Sequence, residues 1–556
     1  MNSEAVIIDG YVDEPACLGV PPYISPYIRS VAGVLVEHGH APRYLTIDRL
    51  RDDTRLIGSL SRASIVVMIA GVTVPGSYIG GKPATLTEIQ QIGVQAKAPT
   101  TAIGGPIAFG YAPQGGRKAI RQAIAGFDVT LRGPPAAALD SYLRGGSAAG
   151  SHDYAKLDRW SILGSPIIAQ HPAFPFVVCE LETASGCPRA AVGGCSFCTE
   201  PLYGLPRYRT VEGIAGEVGA LYRNGARHFR LGRQPDLLAY GTGGRAEFPK
   251  PRPDLIEALF ASVREAAPDL LTLHIDNINP GTIARHEEAS RAALEAIVSG
   301  HTPGDVAAFG METADPAVVS ANNLKALPED VFRAIEITNE VGGRRREGIP
   351  ELLPGLNFVL GLAGETWQTY ALNEAFLERV LKSGLLVRRV NIRQLMPFEG
   401  TPAYENNTLG LHGARYRTFK EHVRKHFDRP MLERVFPRGA VLRHLVVEIS
   451  GSTSFARQLG SYPILAGIPL SLPVRTVLDA VVVDWGMRSV TALPCPVDIN
   501  GLPVSALRRI PGIGKKRAAA IAAKRPFPDR EAFSAAVGST PIDPLLVFRP
   551  PGAPSP

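Results

Sequence analysis

Three cysteines crowd into the stretch Gly186-Cys187-Pro-Arg-Ala-Ala-Val-Gly-Gly-Cys195-Ser-Phe-Cys198. The other three, Cys17, Cys179 and Cys495, are scattered, and six cysteines in 556 residues are far too few for a disulfide scaffold. In a reduced chain such a cluster points to metal or catalysis. Three thiolates on one glycine-rich loop are one short of a closed zinc site or a fully ligated iron–sulfur cluster. Two chemistries fit. A 4Fe–4S cluster with three protein ligands leaves one iron open to a substrate or cofactor. A zinc loop needs a histidine to complete it, and none lies between His171 and His228.

A second stretch with chemical content is Leu507-Arg-Arg-Ile-Pro-Gly-Ile-Gly514-Lys-Lys-Arg-Ala-Ala-Ala-Ile521, which closely resembles a helix-hairpin-helix motif. Gly512 and Gly514 let a tight turn bring backbone N–H groups at a helix start against a phosphate, and Lys515 and Lys516 supply counter-charges. The alternative is a helical hairpin for protein contacts. The net charge of +7 is uneven: residues 411–443 carry nine Lys or Arg against three acids, and 501–528 carry seven against none. The basic end points either to a polyanionic partner such as nucleic acid or to two solvated helix faces.

These residues need elements to position them. Residues 1–150 alternate short strands (Ala5–Asp9, Arg43–Ile47, Ser64–Ala70, Thr100–Ile103, Phe127–Leu131) with helices (Tyr27–His38, Thr85–Ala96, Gly116–Ala125), the pattern of a doubly wound parallel sheet. Gly145–Gly150 reads as a linker. Residues 170–405 hold six more strand–helix units, a parallel barrel or part of one, with the cysteine loop just past its first strand. A basic amphipathic helix (411–440), a small antiparallel β-barrel (441–498) and the helical tail (501–550) follow.

With these pieces in order, the chain resembles the radical S-adenosylmethionine (radical SAM) superfamily, a fold of partial (β/α)6 barrels. Cys195-Ser-Phe-Cys198 matches the end of that superfamily's three-cysteine motif, although seven residues rather than three separate Cys187 from Cys195. Leu231-Gly232-Arg233-Gln234-Pro235 stands where the superfamily has a Gly-Gly-Glu-Pro-like segment, without its acid. Phe309-Gly310-Met311-Glu312-Thr313, Val359-Leu-Gly-Leu-Ala-Gly-Glu-Thr366 and Glu399-Gly-Thr-Pro402 are similar to three further segments. Gly-Glu-Thr alone would be a helix start. The resemblance implies that Cys187, Cys195 and Cys198 hold a 4Fe–4S cluster whose open iron binds S-adenosylmethionine. It further implies that Phe197 packs near the adenine, the Gly232, Arg233 and Gln234 backbone meets the methionine amino group, and Glu312 bonds the ribose. Arg393 would clamp a carboxylate or phosphate, or form an ion pair inside the barrel.

The N-terminal sheet resembles cobalamin-binding-like domains, but the Asp-x-His-x-x-Gly signature of a lower axial ligand is absent, and the only early histidines are His38 and His40. Either cobalamin binds without a protein ligand or the sheet is structural. Residues 441–498 distantly resemble the RNA-binding TRAM barrel, and the whole order resembles an archaeal-type group of radical SAM proteins with a helix-hairpin-helix tail. The expectation is an α/β radical SAM enzyme that functionalises a C–H bond of RNA, methylation included, with ferredoxin or flavodoxin as electron donor. The alternatives are a small-metabolite radical enzyme and a non-catalytic iron–sulfur protein that binds nucleic acid. Composition excludes wholesale disorder, since 45% of residues are hydrophobic and 20% charged. The longest apolar run, Ala63–Val74, is too short to span a membrane, and the N-terminus lacks a basic signal start. A cytoplasmic protein with no membrane partner is expected.

Overall fold

The strand Ser3–Asp9 is apolar on both faces, as a central parallel strand must be, and each face finds its own core. The computed structural model describes residues 3–14, 17–71 and 81–550 and places this strand second in a five-stranded parallel sheet. The spatial order is His40–Thr46, Ser3–Asp9, Ile65–Ile69, Thr101–Gly104, Val129–Thr130. By the two-residue period, Val6 and Ile8 join Ile89 and Ile92 of helix Leu86–Ala96 in one core. Ala5 and Ile7 join Ile28, Val31 and Leu35 of helix Pro26–Glu37 in the other, which continues into the barrel through Cys179, Leu181 and Phe229. Residues 72–74 of the apolar run Ala63–Val74 lie outside the described residues.

Two expectations for this region fail. The stretch 116–125 is not a helix. Its backbone bonds the end of the last barrel strand instead, Gly116 N donating to Leu395 O (2.8 Å) and Ala119 N to Pro397 O (2.9 Å). Tertiary pairing here outweighs local propensity. Gly145–Gly150 is not a free linker, because Gly150 N donates to Arg132 O (2.9 Å) and the next helix, Tyr154–Leu163, packs on Pro26–Glu37. That approach requires Gly33, where a Cβ would collide with the Trp160 carbonyl.

Six parallel strands then follow one another around an arc: Val178–Glu182, His228–Gly232, Thr272–Ile275, Asp305–Glu312, Leu352–Leu360 and Arg389–Gln394. The third and fourth are joined by Ala308 N donating to Asp276 O (3.1 Å). Helices Val211–Arg223, Pro253–Ala266, Glu287–Gly300, Pro328–Gly342 and Trp367–Lys382 cover the outside. This is a partial (β/α)6 barrel. Its first strand is edged by Tyr23–Ile24, which pairs in parallel with Val178 and Cys179.

The basic segment is helical from Gly413 to Val435, with one π turn at Arg424–Asp428, and it buries Phe419, Val423, Phe427, Met431 and Val435. Strands between Val441 and Pro494 close a five-stranded barrel. It is antiparallel except where Leu465–Ile468 runs parallel to Ser489–Pro494, a correction to the all-antiparallel expectation. The tail is not a separate body, since Ile510, Ile513, Ile521 and Phe533 share one core with Val481, Val483 and Leu493 of this barrel. Among the described residues no helix is long and apolar enough to cross a membrane.

Candidate active site

The first barrel strand ends in a small pair, Ala184–Ser185 against Arg207–Tyr208, which pinches the base of the cysteine loop. Beyond Cys187 the chain makes the 3-10 turn Pro188–Val192. It then passes Gly193 and Gly194 at φ of +85° and +73°, values that a side chain would strain. The seven residues between Cys187 and Cys195 are absorbed in this knot. Asn323 ties it, its Nδ2 donating to Val192 O (3.0 Å) and Gly194 O (2.7 Å). The buried Arg189 donates Nη1 to the Cys195 sulfur and to Asn323 O, and its Nε pairs with Glu247 at 2.9 Å. Ser196 donates to Asn322 Oδ1 (2.8 Å) and accepts from Ala403 N (2.9 Å) at its carbonyl.

Cys195, Phe197, Cys198, Glu312 and Arg393 open on one cavity of about 970 Å³. Its walls run past the ends of the last three barrel strands to the basic helix and the small β-barrel, with Phe109 and Gln114 of the N-terminal domain on another side. Phe197 rests on an apolar patch of Val318, Leu324, Leu362 and Leu395. Cys187, Gly232, Arg233 and Gln234 lie outside the cavity lining, whereas Pro235 belongs to it. Gly232 is a close approach, because a Cβ there would collide with the Glu180 carboxylate. Arg233 pairs with Glu200, two residues past Cys198, and donates Nε to the Tyr27 hydroxyl (3.1 Å). Gln234 Nε2 donates to Leu231 O (3.3 Å).

Glu312 follows a β-bulge and adopts φ of +66°, a strained value for a residue with a side chain. Burial pushes its carboxyl up to about 7, while the Lys325 and Arg393 charges hold it down. A Cβ at Gly310 would collide with both Glu312 and Lys325, so that glycine makes room for the pair. Glu365 of the Gly-Glu-Thr segment accepts from Gly361 N (2.8 Å) and Leu362 N (3.0 Å), and Thr366 caps helix Trp367–Lys382. That segment is a turn clamp and helix start.

The thiols suit a cationic cluster. Burial pushes Cys187 up to about 12 and raises Cys195 and Cys198, and the three sit close enough for each charge to disfavour another. Thiolates there need a cation to balance them. Among the described residues no three ligating side chains stand at single-ion spacing. Asn322, Asn323, Lys325 and Arg189 escaped the sequence reading, because nothing in their local pattern tells of a loop far away in the chain.

In the tail, Gly512 takes φ of +85° and Gly514 is the N-cap of helix Lys515–Lys524, with no side-chain cap. Lys515 and Lys516 are exposed, and a Cβ at Gly514 would meet nothing within 4 Å. These residues stand apart from the cavity lining.

No family model matches the chain. An uncharacterized protein of Archaeoglobus fulgidus is 42% identical over 500 residues, 89% of this chain and 91% of that protein. The uncharacterized protein MJ0274 of Methanocaldococcus jannaschii is 41% identical over 508 residues, 88% and 93% of the two. Among solved structures, the radical SAM methyltransferase TsrM of Kitasatospora setae, with tryptophan and a SAM analogue bound, matches at TM-score 0.50 and 16% identity over 72% of this chain and 75% of that one. The fold is thus the α/β fold of radical SAM proteins: a partial (β/α)6 barrel behind a doubly wound sheet. The chain belongs to the family of these two proteins.

Proposed function

We propose that this protein is a radical SAM enzyme that functionalises a C–H bond of an RNA substrate. The observation that carries the reading is the single cavity onto which Cys195, Cys198, Phe197, Glu312 and Arg393 all open, although they come from the cysteine loop and two strand ends. Cys187, Cys195 and Cys198 would hold a 4Fe–4S cluster. When bound and reduced by ferredoxin or flavodoxin, the cluster supplies the electron that splits S-adenosylmethionine into methionine and a 5′-deoxyadenosyl radical. Phe197 would present its apolar patch to the adenine, and the Gly232–Gln234 backbone would meet the amino group. Glu312, once ionised, accepts hydrogen bonds from vicinal hydroxyls, and Lys325 supplies a charge matched to a carboxylate.

Both early histidines lie at the amino edge of the N-terminal sheet. His38 bonds Asp140 (2.9 Å), and His40 starts its strand beside Ser3 (2.8 Å). A corrinoid at the carboxyl edge would therefore take no axial nitrogen from either. The RNA part of the reading is supported by the turn Gly512–Gly514 and the exposed Lys515 and Lys516. Anaerobic reconstitution with dithionite and S-adenosylmethionine tests the enzyme: 5′-deoxyadenosine is expected, and its absence sinks the proposal. Nucleoside mass spectrometry of RNA from a deletion strain then tests the substrate, since a missing modified nucleoside names the reaction.

A further inference from the structure

The cavity wall remote from the cysteines carries more positive charge than its own carboxylates balance. Eight Lys or Arg side chains line the cavity against Glu200, Glu312 and Asp428. On the last barrel strand, Arg389, Asn391 and Arg393 share one face by the two-residue period, and Arg388 precedes them. The π turn contributes Arg424, and the small β-barrel contributes Arg488, which pairs with Asp428 at 3.4 Å.

The arginines of the strand are held by rings rather than by carboxylates. Arg389 lies 4.1 Å over Tyr462, and Arg388 lies 4.7 Å over Phe436 and donates Nη2 to Tyr462 O (2.8 Å). Each leaves a buried Nε without a hydrogen-bond partner. Among the described residues no carboxylate is at ion-pair distance from Arg388, Arg389, Arg393 or Arg424. Burial, with the Arg389 charge beside it, lowers the pKa of Arg388; burial lowers that of Arg389 as well, Tyr462 and Asp428 opposing it while the Arg393 and Arg488 charges add to it. Like charges gathered in a half-buried wall, with donors left over, form a site that an anion completes. The planar fork of arginine matches a phosphoryl group with two parallel bonds.

We propose that this wall is a phosphoryl-binding site, in which Arg388, Arg389 and Arg424 hold a phosphate of the substrate while Arg393 faces the Glu312 end. The inference rests on reading the cavity as the reaction chamber, and it deepens that reading. Substrate is anchored inside the chamber by phosphate, independently of the tail.

The test is pyrophosphate binding to the full-length protein, by calorimetry and by thermal melting in phosphate-free buffer. Native protein should bind pyrophosphate and melt higher in its presence. Arg389→Gln should lose affinity about tenfold or more, a factor worth about 1.4 kcal/mol. It should melt no lower than native without the anion, because a repelled charge is gone. Arg424→Gln, on a different element, should show the same pair of effects. A variant that melts lower yet binds pyrophosphate unchanged would make Arg389 scaffold and overturn the proposal, as would native protein that does not bind. Displacement by a short RNA oligonucleotide supports the site with a strand phosphate as occupant. Displacement by ribose 5-phosphate alone supports it with a small phosphorylated substrate. Pyrophosphate binding without 5′-deoxyadenosine formation would remove the enzymatic reading and keep the anion site. The reverse result would remove the anion site alone.

Discussion

Nη1 of Arg189 stands 2.9 Å from the sulfur of Cys195 and donates a hydrogen bond to it. A donor aimed at a cluster ligand favours the more negative, reduced state and so raises the potential. Arg189→Met should therefore retain iron but lower the midpoint potential by about 60 mV, equivalent to about 1.4 kcal/mol for a one-electron couple. A redox titration followed by electron paramagnetic resonance measures this. An unchanged potential would show that the bond does not tune the cluster.

The cysteines themselves make a sharper contrast. Cys187→Ala, Cys195→Ala and Cys198→Ala should each remove most of the iron and the absorbance near about 400 nm. Cys179 is fully buried inside the first barrel strand, paired with Phe229, so Cys179→Ala should keep the cluster and cost about 1 kcal/mol of packing. Iron analysis of the four variants decides. If Cys179→Ala bleaches the protein and Cys187→Ala does not, the ligand assignment is wrong.

Buried Glu312 costs stability when it is ionised. Its carboxyl ionises at about 7 in the folded protein against 4.5 ordinarily, so the native state binds more protons between those values and stability falls as pH rises through them. Glu312→Gln should be indistinguishable in stability near about pH 4.5 and more stable above about pH 7, by up to about 3 kcal/mol. The same variant should bind S-adenosylmethionine about tenfold more weakly. Denaturation at several pH values and equilibrium dialysis check the two halves.

The tail prediction follows from its glycines. Lys515→Ala with Lys516→Ala should weaken binding of different RNA sequences alike and lower the salt slope by about one to two units. Gly514 has an ordinary φ of −80° and open space around it, so Gly514→Val should fold normally yet bind RNA less well. Gly512→Val adds backbone strain of about 1–2 kcal/mol at φ +85°. Removing residues 501–556 is a poor substitute, because it would strip Val481, Val483 and Leu493 of their core and lower the melting temperature. RNA titrations at several salt concentrations test the point variants. An unchanged slope would assign the hairpin to protein contacts.

Barrel strands such as Val306–Met311 were legible because buried parallel strands read as short apolar runs, whereas His228–Leu231, with His and Arg between its apolar residues, shows only the two-residue alternation. The crowding of Cys187, Cys195 and Cys198 is visible in the sequence, but the 3-10 turn and the Arg189 and Asn323 bonds that shape their loop are not. The stretch 116–125 was not, since its partners, Leu395 and Pro397, are remote in sequence. Nothing local marks Arg388 and Arg389, and only the cavity beside them shows them gathered with Arg424 and Arg488. Lys325 and the left-handed φ of Glu312 likewise depend on packing that no local pattern records.

The ties of Ser196 to Asn322 and Ala403 also govern the order of events during synthesis. A ribosome adding about 5–20 residues per second makes the cysteines roughly 10–40 seconds before Ala403 exists to bond their loop. Throughout that interval the loop lacks the Ala403 tie that helps to fix it. A cluster on these three cysteines would therefore be completed late, on a chain that already holds all six barrel strands, and oxygen encountered earlier would find three unprotected thiols.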